Sequence, residues 1–198
     1  MHALKDNTLP TMELFTSKAG LCIVDIQEKL AASMPEKVVK GTLRNCLNLI
    51  EAARVLSLPI AMSEQYPQGL GRTLPVVAES VLRLQREQLF FFDKVQFSCF
   101  GLSSFDGWIK ASGRTQWILA GMETHVCVYQ TARAMVSSGL EVCVPRDAVV
   151  SRTMANWEIG LQLMERSGAL ISSTEAVIFD LLKKAGTEEF KQLSRIVK

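Results

Sequence analysis

Three side chains of this sequence have the types that acyl transfer through sulfur requires: a carboxylate at Asp25, an ammonium at Lys94 and a thiol at Cys127. A thiol attacks an acyl carbon once a base takes its proton. A carboxylate can be that base and later return the proton to the leaving group, while a cation within a few ångströms favours the charged forms of both. Each of the three follows an apolar run: Leu21-Cys22-Ile23-Val24 before Asp25, Phe90-Phe91-Phe92-Asp93 before Lys94, and Trp117-Ile118-Leu119-Ala120-Gly121 ahead of Cys127. Cys127 falls where a helix is expected to begin, so unpaired N–H groups and the positive end of the dipole would favour its thiolate and could receive an oxyanion. The chain holds two histidines, His2 and His125. His125 lies two positions before Cys127, too near to reach its side chain across a helix start, which leaves Asp25 as the base.

These residues converge only if the runs that carry them are neighbouring strands of one sheet. Short apolar, partly β-branched segments recur after turn signals at 21–26, 59–63, 89–92, 116–120, 140–144 and 169–172, and they read as strands buried on both faces. Helical spacing fills the intervals: Val39, Leu43, Cys46, Leu47, Ile50 and Ala53, then Val128, Ala132, Met135 and Val136, then Trp157, Gly160, Leu161 and Met164. Ser138-Gly139 and Ser167-Gly168 close two of these helices. The expected fold class is α/β, a three-layer, mostly parallel six-stranded sheet with helices on both faces, Rossmann-like, in a single domain over residues 1–198. In such a sheet ligands sit outside the carboxyl ends of the strands, where Asp25, Lys94 and Cys127 fall. Turn residues mark 66–75 and 97–104 as pocket loops, and the tail from Thr174 reads as one or two packing helices.

With 198 residues, 48% hydrophobic and 21% charged, the chain can bury one sizeable core. Its 22 basic and 20 acidic residues are dispersed, with no basic run or aromatic–basic interleaving, so nucleic acid is not an expected partner. No apolar run spans a bilayer and residues 1–20 have no signal-like apolar stretch. A cytoplasmic protein is expected, although the first residues leave organelle targeting open. The five cysteines are odd in number and contain no C-x-x-C pair, against both a disulfide framework and a zinc site. Motifs for serine hydrolases, dinucleotides and P-loops are absent.

Three motifs in order make the chain resemble the isochorismatase-like cysteine hydrolases, whose relatives include nicotinamidases and N-carbamoyl amidohydrolases. They are Ile23-Val24-Asp25-Ile26-Gln27, Lys94-Val95-Gln96-Phe97-Ser98, and Ala120 to Val128 with Thr131-Ala132; Ser63 to Gly71 further resembles the isochorismatase-domain-containing branch. The resemblance implies that Asp25, Lys94 and Cys127 form a catalytic triad. It also implies a cis peptide bond at Met122-Glu123 that turns the backbone N–H groups of Glu123 and Cys127 into an oxyanion hole, and hydrolysis of an amide-like C–N bond through a covalent cysteine intermediate. Homo-oligomers are common in the family. Nicotinamidases bind a metal through an Asp-x-His element, whereas this chain reads Glu64-Gln65-Tyr66 there, so neither a metal nor another cofactor is expected. Isochorismate-cleaving members lack the cysteine, which sets isochorismate aside as the expected substrate.

Plainer roles compete for several residues. Cys22, Cys46 and Cys143 read as core, while Cys99, close after Lys94, borders the expected pocket. Asp25 alone would be a turn cap and Lys94 alone a solvated charge. Glu123 and His125 either face substrate or cap the helix. Tyr66, Phe97, Phe100 and Trp108 either line the pocket or anchor packing, and Tyr66, Phe97, Phe100 and His125 are the substrate-binding candidates. The expected function is a metal-independent cysteine hydrolase acting on a small amide-like molecule. The alternatives are a catalytically silent binding or regulatory protein of the same fold, or a redox-responsive thiol protein.

Overall fold

The computed structural model describes residues 12–197; His2, Lys5, Asp6 and the targeting question attached to the first residues lie outside the described residues. Among the described residues seven strands form one sheet: β1 (Ala19–Val24), β2 (Ile60–Gln65), β3 (Leu89–Lys94), β4 (Gln116–Met122), β5 (Glu141–Pro145), β6 (Val149–Val150) and β7 (Leu170–Ser172). Their order is β3-β2-β1-β4-β5-β7, with β6 paired to β4, and every named pair is parallel. The three-layer α/β reading therefore holds, with the two-residue β6 as a seventh strand. A segment that short carries no period for a sequence to display.

Both faces of the sheet are apolar and are read by alternate residues. Leu21, Ile23, Ile60, Met62, Ile118 and Ala120 point to one layer, where they meet α2 (Glu36–Val55), α4 (Pro75–Val81), α8 (Thr174–Leu182) and α9 (Glu188–Leu193). Cys22, Val24, Ala61, Trp117 and Leu119 point to the other, built from α5 (Ser103–Ser112), α6 (Tyr129–Ser137) and α7 (Met154–Arg166). The stripe Val39, Thr42, Cys46, Leu49, Ile50 and Ala53 is the buried side of α2. Trp108 packs against this second core: its ring lies 5.2 Å from Phe90 and 5.6 Å from Trp117. The short helix α3 (Pro67–Leu70) interrupts the stretch 66–75 that turn residues mark as a loop, and another short helix, α1 (Glu28–Ala32), follows β1.

Strand bounds differ from the sequence reading where they matter most. β1 stops at Val24, one residue short of Asp25, and β3 continues through Lys94. At the centre, β1 and β4 pair with Val24 opposite Gly121. Gly121 has φ +125°, and a Cβ built there would lie 2.0 Å from the Val24 carbonyl oxygen. Only a residue without a side chain lets the two strand ends approach this closely. Replacing Gly121 by Ala is expected to remove about 3 kcal/mol of stability or more, from strain and overpacking together, read as a lowered urea midpoint.

Candidate active site

Asp25 leaves β1 with φ 50°, a left-handed conformation that short polar side chains tolerate. Its backbone N–H still donates to Ser63 of β2 (3.1 Å), so the carboxylate is fixed at the strand end. One carboxylate oxygen accepts from Ser63 Oγ at 2.7 Å and the other from Lys94 Nζ at 2.7 Å. Both the Lys94 and Asp25 side chains are wholly buried. Lys94 Nζ also donates to Gln65 Oε1 at 2.7 Å and to the Phe97 carbonyl at 2.9 Å. An ammonium has three N–H bonds, and all three of Lys94 are spent.

Gln65 is itself bracketed. Its N–H donates to Gln27 Oε1 at 2.7 Å, and Gln27 Nε2 donates to the carbonyls of Gln65 (3.1 Å) and Gly71 (2.7 Å). Gln65 Nε2 in turn donates to the Val95 carbonyl at 2.6 Å. The Gln27 side chain thus takes the place of strand β1 beside β2, after β1 has turned away. Glu64, the neighbour of Gln65, is buried and accepts from Thr73 N–H (2.6 Å), Thr73 Oγ1 (2.8 Å) and Arg72 Nη1 (2.9 Å), which closes the loop that carries Tyr66. Burial is the largest single influence and pushes its carboxyl up, but those hydrogen bonds and the Arg72 charge together outweigh it and hold the carboxyl below the usual glutamate range.

Cys127 sits in a π-helical turn, Thr124–Val128, that precedes α6; the expected α-helical first turn is absent. Gly160 of α7 packs directly on this turn, where a Cβ would come within 2.9 Å of the His125 backbone. The peptide bond Met122–Glu123 is cis. The Cys127 thiol stands beside the Asp25 carboxylate and retains 5% exposure. Burial first, and then the Asp25 charge, push the thiol far above its ordinary range against a smaller opposing pull from Lys94. Desolvation and the adjacent carboxylate thus act against the thiolate that a position at the start of a helix would favour. Burial likewise pushes the Asp25 carboxyl up, although Lys94 and Ser63 oppose it. For Lys94, burial would depress the ammonium, but the Asp25 charge leaves it above its usual value.

The remaining candidates are placed as follows. Glu123 accepts from the Arg152 backbone N–H at 3.0 Å and from its Nε at 3.1 Å. His125 Nδ1 lies 3.0 Å from Ser151 Oγ. Glu123, at the N-cap of the turn, makes no side-chain cap hydrogen bond, and both residues are engaged by the segment after β6. Phe100 is partly buried against the second core, while Tyr66 and Phe97 are each 52% exposed beside the covered triad. Cys99 is fully buried and donates through Sγ to Ser63 Oγ at 3.4 Å, which places it one residue away from Asp25 in the hydrogen-bond chain. Thr124 Oγ1 is, among the described residues, the buried side-chain polar atom without a partner. No group of three or more His, Cys, Asp or Glu among the described residues is placed to hold a metal ion.

Residues 19–176 match the family model described as the isochorismatase domain. The chain belongs to the isochorismatase family. Among curated isochorismatase-family proteins, it is 32% identical to the secreted isochorismatase effector Isc1 of Phytophthora sojae, over 100% of this chain and 93% of that one. It is 33% identical to isochorismatase domain-containing protein 1 of Danio rerio over 76% of this chain, and spans about half (51%) of that protein's length. Among solved structures it is similar to the MAR1 ribonuclease of Caenorhabditis elegans, with a TM-score of 0.85 and 32% identity, covering 94% of this chain and 92% of the other. The fold and family are those of isochorismatase-like hydrolases. No described helix is long and apolar enough to cross a membrane.

Two outcomes follow from the buried cluster. Lys94→Met leaves the Asp25 carboxylate buried without its cation and is expected to destabilise the protein by about 3–5 kcal/mol in chemical denaturation. Because Asp25 helps hold the Cys127 proton in place, alkylation of Cys127 by iodoacetamide should be slow at neutral pH and accelerate as pH rises. Asp25→Asn should speed it at pH 7, about tenfold for each pKa unit removed, as read by mass spectrometry of the Cys127 peptide.

Proposed function

We propose that this protein is a metal-independent cysteine hydrolase that cleaves an amide-like C–N bond of a small molecule, with Cys127 as nucleophile, Asp25 as base and then acid, and Lys94 as fixed electrostatic support. The observation that carries the reading is the placement of the buried Cys127 thiol beside a carboxylate that is itself pinned by Lys94 at 2.7 Å and Ser63 at 2.7 Å. A base with an elevated pKa, next to the proton it must take, suits general base catalysis.

In the proposed sequence Cys127 Sγ attacks the carbonyl carbon while its proton passes to Asp25. The oxygen gains the electron pair and is received by the backbone N–H groups of Glu123 and Cys127. Collapse breaks the C–N bond as Asp25 delivers the proton to nitrogen, so ammonia or an amine leaves and a thioester remains. Water then gives a proton to Asp25 and adds to the thioester. The C–S bond breaks, the acid is released, and Asp25 returns the proton to sulfur. Lys94 takes no part in proton transfer, since its three N–H bonds are already directed at Asp25, Gln65 and Phe97. Tyr66 and Phe97, exposed on the loops over the triad, are the proposed substrate contacts, and a homo-oligomer is the proposed working form.

A screen of small primary amides, ureas, carbamoyl compounds, isochorismate and RNA tests this reading. RNA is included because the similar C. elegans protein carries the name ribonuclease. Release of ammonia or amine from a C–N substrate is expected, with Cys127→Ala reducing turnover by about 10³-fold or more while leaving the circular dichroism spectrum unchanged. Turnover by Cys127→Ala at the wild-type rate would sink the mechanism. Cleavage confined to isochorismate or RNA would replace its substrate class.

A further inference from the structure

Away from the triad, a cleft of about 400 Å³ opens between the start of α2, the segment Arg146–Asp147, β6 and the start of α7. Its apolar surface comes from Val38, Val149, Val150, Met154 and Trp157, with Val38 and Met154 left 45% and 64% exposed. Trp157 is a fixed wall: its Nε1 donates to the carbonyls of Arg146 and Val149, both at 3.1 Å, and the Arg146 guanidinium lies 4.7 Å from its ring. Gly41, in the interior of α2, faces the same space, and a Cβ built on it meets nothing within 4 Å. A glycine there weakens the helix and leaves the cleft open.

The charges around this apolar floor have one dominant sign. Lys37, Arg146 and Arg152 line it, and the 20-residue α2 and the 13-residue α7 both begin at its rim, with the positive ends of their dipoles inward. Among the described residues neither Lys37 nor Arg146 has an acidic partner within 4.0 Å. The acid that lines the cleft, Asp147, is turned to α8, where it accepts from Thr174 N–H at 2.8 Å and Thr174 Oγ1 at 3.0 Å. An apolar slot with a cationic rim matches an apolar body that bears a negative group.

The wall of the cleft nearest the triad is made of Ser151 and Arg152. Ser151 holds His125 and Arg152 holds Glu123, through both its backbone N–H and its Nε. Both grips act on the turn that presents Cys127. We propose that this cleft is a ligand site for a small organic anion with an apolar body, and that its occupation changes the reactivity of Cys127 through Ser151 and Arg152. An anion at the rim competes with Glu123 for the Arg152 guanidinium, which is 55% exposed, and so loosens one of the grips. The binding claim stands apart from the hydrolase reading, and the coupling claim is read on the thiol without any substrate.

The test uses 4-phenylbutyrate and its uncharged counterpart 4-phenylbutanol with the full-length protein. Calorimetry should show saturable 1:1 binding of the carboxylate, about tenfold tighter than the alcohol, with Trp157 emission altered in step. Gly41→Phe, which fills the cleft, should abolish binding, and Lys37→Glu with Arg146→Glu should weaken it by about tenfold. Saturating carboxylate should change the iodoacetamide alkylation rate of Cys127 in the wild type and leave Gly41→Phe unaffected. Equal affinity for the alcohol, or undiminished binding by Gly41→Phe, would overturn the site. Binding with an unchanged alkylation rate would overturn the coupling. Sedimentation adds a further check: if Gly41→Phe turns an oligomer into monomers, the cleft is the seat of a second copy and the ligand assignment falls.

Discussion

An ammonium removed from water persists only where each of its N–H bonds meets an acceptor and a negative charge lies close by, and the Lys94 environment supplies both conditions. Asp25 provides the charge and one acceptor, Gln65 the second, and the Phe97 carbonyl the third. Each acceptor comes from a different part of the chain: the end of β1, the end of β2 and the loop after β3. The ion pair therefore ties together, beyond their strand pairing, the ends of β1 and β2 and the loop after β3. Removing either member would strand a charge in the interior, so the cluster demands all of its parts at once. Ser63 and the Gln27 bracket extend the demand outward by saturating the remaining oxygens and backbone groups.

The strand order gives this cluster its place. β1 and β4 are central neighbours, while the chain leaves β1 toward one side of the sheet and β4 toward the other. The gap at their carboxyl ends is where Asp25 and the Cys127 turn face each other. Gly121 permits that closeness, because any side chain there would collide with the Val24 carbonyl immediately before Asp25. A packing constraint on one residue of β4 thus sets how closely the ends of β1 and β4 approach. Gly160 plays the corresponding part from above, letting α7 lie on the π-helical turn.

What the sequence discloses about this arrangement follows from which interactions are local. Asp25, Lys94 and Cys127 can be picked out because each ends or follows an apolar run, and strand ends are where an open parallel sheet keeps its polar groups. The partners of these residues are not visible in that way. Ser63, Gln65 and Gln27 meet the cluster through strand register, Val24 opposite Ser63 and Gln65 opposite Lys94, and register is a property of paired strands. The same limit explains β6, too short to display a period, and Trp108, whose place in a loop-flanked segment gave no sign of its stacking on Phe90. His125 and Glu123 are near Cys127 in sequence, yet their side chains are engaged by Ser151 and Arg152, which follow β6.

At Cys127 the local and the global surroundings act in opposite senses. A helix start favours the thiolate by a partial charge, typically 0.3–1 kcal/mol at an exposed site. Taking the sulfur out of water and setting it beside a carboxylate acts in the opposite sense and on a larger scale. A thiol that rests protonated is protected from adventitious oxidants and electrophiles, which react with the thiolate. In the proposed mechanism the same carboxylate that raises the thiol is the group that would remove its proton, when an electrophilic carbon is brought to the sulfur. Lys94 would make that transfer tolerable: as Asp25 took the proton and lost its charge, the negative charge would move to sulfur and then to the substrate oxygen, within reach of the same ammonium. The buried cation would thus have a counter-charge before and after the proposed transfer.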